Sequence, residues 1–523
     1  MKSFQHSPQM PTIASRLYIS LIFLVIFLTG CASQQTKVNQ SRQIFAMGNL
    51  GAASVAIEQS IPSKNNVYNL EQGSILRLMG VNRISQSTKE FLAADAILRQ
   101  NELTRASIKS SLSSVGGYFL AEGIGKDYVL KGFEGSLLAY SIALNHVLVG
   151  DWDNARVEVM KMVKREQDVA SFNEAKYQAL ADARNQGVKG MQGTIDNRVM
   201  QGNPVINGYP VNSISDPQTL SLKNSYQSAA AHYLAGFIFE KLREPSLAAP
   251  GYRLAIELRP EIPFLQEGLK NVDANSTRPI NTSPTGTTDT LFIVETGFLP
   301  FIDNFKVNLP IPIGGQIRFA TVSYPYIAPN TELFNPGQIA IGGQLLNLNM
   351  ITSIDSMARR DLRDEMPGYM LRGASRAVAQ VLAQVGTQRA IQGNNPNNSN
   401  QATLGAIAGL VTGLTMAEIS SADVRHWSNL PANIFLTRAQ IPNGVQDLLI
   451  RTPGGAMVGR PFSFQGEKTV VYLRVFRDRV SMMASNDVQA GYASFGQPIA
   501  FVQKSPSTPL IPPPSQPIIE LKR

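Results

Sequence analysis

Cysteine is nearly absent from this sequence: Cys31 is the only one in 523 residues. A lone thiol closes no internal disulfide and cannot build a Cys-rich zinc site. Histidine occurs four times. Beyond the N-terminal segment, His146, His232 and His426 lie far apart in sequence and lack metal-ligand spacing, so no metal or other cofactor is expected. No Gly-x-Ser-x-Gly occurs, which leaves out the nucleophile elbow of a hydrolase. The stretch "EGIGKDY" has the Gly-Lys of a phosphate loop, but Leu120 stands where the upstream Gly belongs and Asp127 replaces the hydroxyl residue. Long apolar runs are also scarce, with one near the N-terminus. No Lys/Arg run with interleaved aromatics appears, so the formal charge of +9 does not point to nucleic acid.

The single Cys sits at the edge of the single long apolar run. Lys2 and Arg16 precede "LYISLIFLVIFL", which is uncharged from Leu17 to Leu28. A basic flank and about a dozen apolar residues have the dimensions of a secretory signal rather than of a spanning helix. Leu28, Thr29, Gly30 and Cys31 resemble the lipobox of bacterial lipoproteins, in which the Cys sulfur receives a diacylglyceryl group and the new N-terminus is acylated. Two or more acyl chains, at about 0.8 kcal/mol per buried methylene, suffice for stable anchoring. Ala32 follows, not the Asp that in such lipoproteins retains the chain at the inner membrane, so an outer-membrane, periplasm-facing location is expected. With Lys2 and Arg16 removed, the mature charge falls from +9 to about +7.

Composition divides the rest. Residues 1–30 read as the signal peptide and 31–40 as a polar tether. Residues 41–270 read as a helical domain with an irregular insertion at 186–224. The stretch 271–289, rich in Asn, Ser, Thr, Pro and Gly, reads as a linker. A β domain is expected over 290–503 with a helical insertion at 354–420, followed by a Pro-rich tail at 504–523. The fold class is α+β.

The helical part repeats. In "SLLAYSIALNHVLVGDWDNARVEVMKM", small Ala143 and Ala155 lie twelve positions apart around Gly150, and Val159 and Met162 follow at one-turn intervals. The same template places Gly236 against Ala248, then Tyr252 and Ala255, with Pro260 as terminator. A weaker unit has Ile75, Ser87, Phe91 and Ala94. These units resemble tetratricopeptide (TPR) repeats, in which small residues let two helices approach and bulky ones fill the gap to the next pair. Ile75 and Ala143 are two 34-residue periods apart, whereas Ala143 to Gly236 fits no multiple, consistent with the insertion. A plain helical bundle is the alternative. Such a groove recognises a helix or extended peptide. Candidate groove positions on the first helices of the pairs are Tyr140, Asn145, His146, His232 and Phe239.

After residue 289 the period changes to two. "TLFIVETGFLPF", "GQIRFATVSY", "PANIFLTRAQI", "QDLLIRT" and "KTVVYLRVFRD" read as strands of an antiparallel, sandwich-like domain. Val471, Leu473 and Val475 share one face; Val470, Tyr472 and Arg474 share the other. Within the insertion, Leu362, Met366, Met370, Ala374, Ala377, Val381 and Val385 form one helical stripe, and Pro367 is expected to kink or restart it. Asp361, Asp364 and Glu365 could serve as a carboxylate pair for sugar-polymer cleavage, but with Arg359, Arg360 and Arg363 among them they read as a solvated charged face. Gly405, Gly409 and Gly413 recur every four residues in an uncharged run too short to span a membrane, which favours packing against the preceding helix over membrane contact. Trp427 in "RHWSNLP" reads as an anchor where helices rejoin the sheet.

Three stretches, "AYSIALNHVLVGDWDNARVEVMK", "DLRDEMPGYMLRGASRAVAQ" and "ADVRHWSNLPANIFLTRAQIPNG", together resemble an uncharacterised family of Gram-negative envelope lipoproteins with TPR-like N-terminal helices and a β-containing C-terminal domain. The resemblance covers most of the mature chain and carries no catalytic residues. It implies a non-enzymatic, lipid-anchored scaffold or adaptor that binds a protein partner in cell-envelope assembly, with the membrane reached through acyl chains on Cys31. An enzyme acting on cell-wall polymer and a surface-exposed structural or appendage lipoprotein are the alternatives.

Overall fold

A computed structural model describes residues 30–61, 63–108, 128–190, 208–276, 286–313, 316–392, 423–485 and 497–498. The signal peptide, the Pro-rich tail and the Gly405/Gly409/Gly413 run lie outside them. The helices are α1 (Gly30–Ala46), α2 (Leu50–Ser60), α3 (Asn66–Leu78), α4 (Val81–Ile108), α5 (Gly132–Leu148), α6 (Trp152–Gly190), α7 (Pro217–Ser221), α8 (Ala229–Lys241), α9 (Pro245–Leu258), α10 (Leu265–Ser276) and α11 (Ile354–Gln392). Among the described residues, no helix is long and apolar enough to cross a membrane.

Polar side chains fix several helix starts. Asn49 accepts from Ala52 N at 3.1 Å, Asn65 from Tyr68 N at 3.1 Å and Ser228 from Ala231 N at 3.3 Å, each satisfying an amide with no partner inside the helix. Consecutive helices then pair as α3 with α4, α5 with α6 and α8 with α9. The small residues sit where the pairs touch. Ala143, Ala155, Ala248 and Ala255 are fully buried, and a Cβ added to Gly251 would lie 2.9 Å from the Gly236 nitrogen. In the first pair the closest approach is at Gly73, two residues before the expected Ile75: a Cβ there would meet the Phe91 ring at 2.5 Å, and Ser87 Oγ donates to Gly73 O at 2.7 Å. Gly150 closes the α5–α6 turn at φ 77, while Arg243 takes the same left-handed region at φ 60 after α8. Helix α10 extends the array by laying Gly268 on the Tyr252 ring.

The strands are β1 (Thr287–Thr296), β2 (Ile302–Ile313), β3 (Gln316–Ile327), β4 (Gln338–Ile341), β5 (Gln344–Asn347), β6 (Asn349–Ser353), β7 (Asn433–Pro442), β8 (Gly444–Arg451), β9 (Met457–Phe464), β10 (Lys468–Phe476), β11 (Arg479–Ala484) and β12 (Gln497–Pro498). One sheet runs β11-β10-β1-β7-β6, a second β12-β9-β8-β4-β5, and β2 with β3 forms a separate ribbon. All pairings are antiparallel except β1 with β10. The chain is therefore α+β, with helices before an antiparallel-rich pair of sheets.

Strand alternation explains the layering. Val471, Leu473 and Val475 join Phe292, Val294, Ile450 and Phe462 between the sheets, while Val470 and Tyr472 join Leu291, Ile293 and the helices on the other face. Helices and first sheet thus share one core. At about 25 cal/mol per Å² of apolar surface, each such buried Leu, Ile or Val contributes about 1.5–3 kcal/mol.

Three expectations change. Residues 31–40, expected as a tether, have helical backbone within α1, and Val38, Ser41, Arg42 and Phe45 bury against the body. The helix does not restart at Pro367, which lies inside the continuous 39-residue α11. Its stripe residues Leu362, Met366, Met370, Ala377 and Val381 are buried, packed on the β2–β3 ribbon, where Gly373 allows Tyr324 to approach. The polar face of α11 is not solvated either. Asp361 pairs with Lys131 at 3.8 Å and Glu365 with Lys176, both on other elements, while Arg359 pairs within α11 with Asp355 at 2.7 Å and donates to the carbonyl of Ser213. Local sequence shows the charges but not the distant groups that neutralise them.

Candidate functional site

The first helices of the pairs, α3, α5 and α8, turn their inner faces onto the chain's own sheet. Across this interface runs the segment 425–431, which leads into β7. Two glutamates hold it. Glu71 on α3 accepts Ser428 N at 2.6 Å and Ser428 Oγ at 2.8 Å on one oxygen, and Asn429 N at 3.2 Å on the other. Glu134 on α5 accepts Trp427 N at 2.8 Å, Lys131 N at 2.9 Å and the Tyr128 hydroxyl. Three successive main-chain amides are therefore captured by two carboxylates, both fully buried. Trp427 completes the seat: its indole N–H donates to Ser74 Oγ at 2.8 Å, and its ring lies 5.5 Å from Phe91. The expected anchoring role of Trp427 agrees with this geometry.

Burial pushes the Glu71 carboxyl up to about 7, against the opposing pull of the Ser428 donors and Arg42, and raises Glu134 as well. Burial also lowers His426 to about 4; the ring bonds through Nδ1 to the Val424 carbonyl at 3.1 Å.

Deeper in the same interface, Glu295 of β1 accepts from Tyr140 at 3.2 Å and from Tyr472 at 2.8 Å. Arg77 bonds Asn145 Oδ1 at 2.7 Å and the Ser141 carbonyl at 2.8 Å. Arg474 reaches the Asn429 carbonyl at 3.4 Å. Arg77, Tyr140, Glu295, Asn429, Tyr472 and Arg474 line a cavity of about 20 Å³ together with Phe45, Ser74 and Leu137. At the far end of the array, Arg438 and Lys468 meet Glu240 and Asp289 at 2.5–3.0 Å, tying α8 to β1, β7 and β10. Burial alone would raise both carboxyls, but the paired cations hold them below their ordinary values.

The groove assignment made from sequence needs correcting. Tyr140, Asn145, His232 and Phe239 are buried, so they are not presented to a partner. Tyr140 faces Glu295, Asn145 faces Arg77 and Ser87, and His232 Nε2 lies 2.8 Å from Glu166 Oε2. His146 remains half-buried beside Asp151 at 3.1 Å. The face taken for a partner groove is occupied by the protein's own sheet and by residues 427–429. Side-chain placement at Cys31 falls outside the described burial. Sequence reading missed Glu71, Glu134 and Glu295, and placed Arg474 on its strand face without a partner. The usable signal was a single acid inside an otherwise small or apolar helix, as in "GFEGSLLAYSIALNHVL". Chemically, the arrangement recognises main chain.

No protein-family profile matches the sequence, and no curated protein matches it. Among solved structures, a tetratricopeptide repeat protein from Parabacteroides merdae is similar at 14% identity, covering 46% of this chain and 99% of that one, with a TM-score of 0.13. The helix pairing described above rests on its own contacts, not on this overlay.

Proposed function

We propose that this chain is a lipid-anchored interaction scaffold, held at the outer membrane through Cys31 and facing the periplasm, that binds a protein partner in cell-envelope assembly. The observation that supports the scaffold reading is the array of helix pairs closed at small residues, which builds a rigid body by the logic of repeat proteins. The lipobox-like stretch before Cys31 supports the anchor. The partner surface is the outer face of the array, because the inner face is filled in cis. Val38, which is buried, lies seven helical steps after Cys31, about 10 Å at 1.5 Å per residue, so the anchor holds the body close to the membrane. The carboxylates Asp361, Asp364 and Glu365 are each engaged by cations, which fits a structural role better than hydrolysis.

The test is crosslinking in cells followed by pull-down, with Cys31→Ser alongside. The expected result is recovery of an envelope protein with the wild type and loss of membrane fractionation in the variant. Membrane fractionation of Cys31→Ser, together with no incorporation of labelled fatty acid into the wild type, would overturn the anchor. Recovery of no envelope protein, with anchoring intact, would overturn the scaffold.

A further inference from the structure

The cavity beneath residues 429–431 has two orphaned atoms on its wall residues. Arg474 Nη1 is a fully buried donor, and Asn429 Oδ1 a buried acceptor, and neither has a protein partner. Both side chains line the cavity, as do Glu295 and Arg77, and Arg474 Nη2 already touches the Asn429 carbonyl. A buried polar atom left unpaired is costly, and a site this polar with room for about one solvent molecule is where an ordered water belongs.

We infer that this cavity is a hydration site for one water, which accepts from Arg474 Nη1 and donates to Asn429 Oδ1. The wall chemistry selects this ligand over an ion. A halide satisfies the guanidinium but has no hydrogen for the amide oxygen, and the Glu295 carboxylate repels it. A cation is repelled by Arg77 and Arg474. Only a small neutral molecule that both donates and accepts meets every group. The water joins β10 to the segment held by Glu71, so it completes the seal between the sheet and the helical layer. This inference stands independently of lipid anchoring.

A high-resolution crystal structure of the intact protein tests it. The expected result is one spherical density peak within hydrogen-bonding range of both atoms, with no anomalous peak there after chloride is exchanged for bromide. A featureless cavity, an anomalous bromide peak, or a rotated Asn429 with both atoms paired to protein would overturn it. In Asn429→Leu, whose main-chain N–H still reaches Glu71, the peak should disappear. Its persistence unchanged would show that the amide oxygen does not hold it.

Discussion

Removing the Glu71 side chain as Glu71→Ala is a sharp perturbation of the helix–sheet interface. The carboxylate receives two main-chain amides and one hydroxyl, at 2.6, 3.2 and 2.8 Å. The Ser428 hydroxyl can rotate to another acceptor, but the amides of Ser428 and Asn429 cannot. Each buried amide left without a partner costs about 1–3 kcal/mol, and the unfilled side-chain volume adds a cavity term. Against this, the variant removes a carboxyl whose ionised form burial already disfavours. The balance is a loss of about 3 kcal/mol. Urea unfolding of the wild type and the variant, followed by tryptophan fluorescence, measures it; Trp427 sits beside the lost contact and its emission should shift to the red in the variant. A change within about 0.5 kcal/mol, the range of an ordinary surface substitution, would refute the claim that Glu71 holds this segment.

Other outcomes follow from the same structure. Glu71 binds its proton more tightly folded than unfolded, so raising the pH from about 4.5 through 7 should remove up to about 3 kcal/mol of wild-type stability relative to Glu71→Gln; parallel pH curves for the two proteins would count against a buried, raised carboxyl. His426 has the opposite sign. Its folded form resists protonation down to about 4, so acidification from 6.5 towards 4 should destabilise the wild type more than His426→Gln, as thermal unfolding across that range would show. Gly251→Ala drives a methyl into the backbone of Gly236 and His232 and should cost about 1–3 kcal/mol; a neutral effect in chemical denaturation would mean that α8 and α9 are not so closely packed. Arg438→Met removes one of the two cations described at Glu240 and Asp289 and should cost about 3–5 kcal/mol in the same assay.

Much of the architecture was legible from local patterns. The two-residue period assigned Val471, Leu473 and Val475 to one face of β10 because each strand face meets a different layer. The small residues Ala143, Ala155, Gly236 and Ala248 marked helix crossings because close approach admits nothing larger. What failed depended on distant sequence. Nothing near Tyr140 says that Glu295 lies across from it, and nothing in α1 says that Phe45 will pack on Phe298 and Phe476, with ring centroids 5.3 and 5.1 Å away. Groove and core positions on a repeat helix have the same local composition, and only the sheet decides between them. Likewise, the charges on α11 looked solvated until Lys131 and Lys176 were placed opposite. The buried glutamates were visible as isolated acids, but their partners, main-chain amides more than 290 residues away, carry no side-chain signature.

The proposed role depends on attachment at one sulfur, and intact-mass analysis of the protein extracted from cell membranes tests it most directly. The expected species begins at Cys31 and carries a diacylglyceryl group on sulfur with a further acyl chain on the amino nitrogen. A chain that retains Met1, or a processed chain with a free Cys31 thiol, would contradict the account.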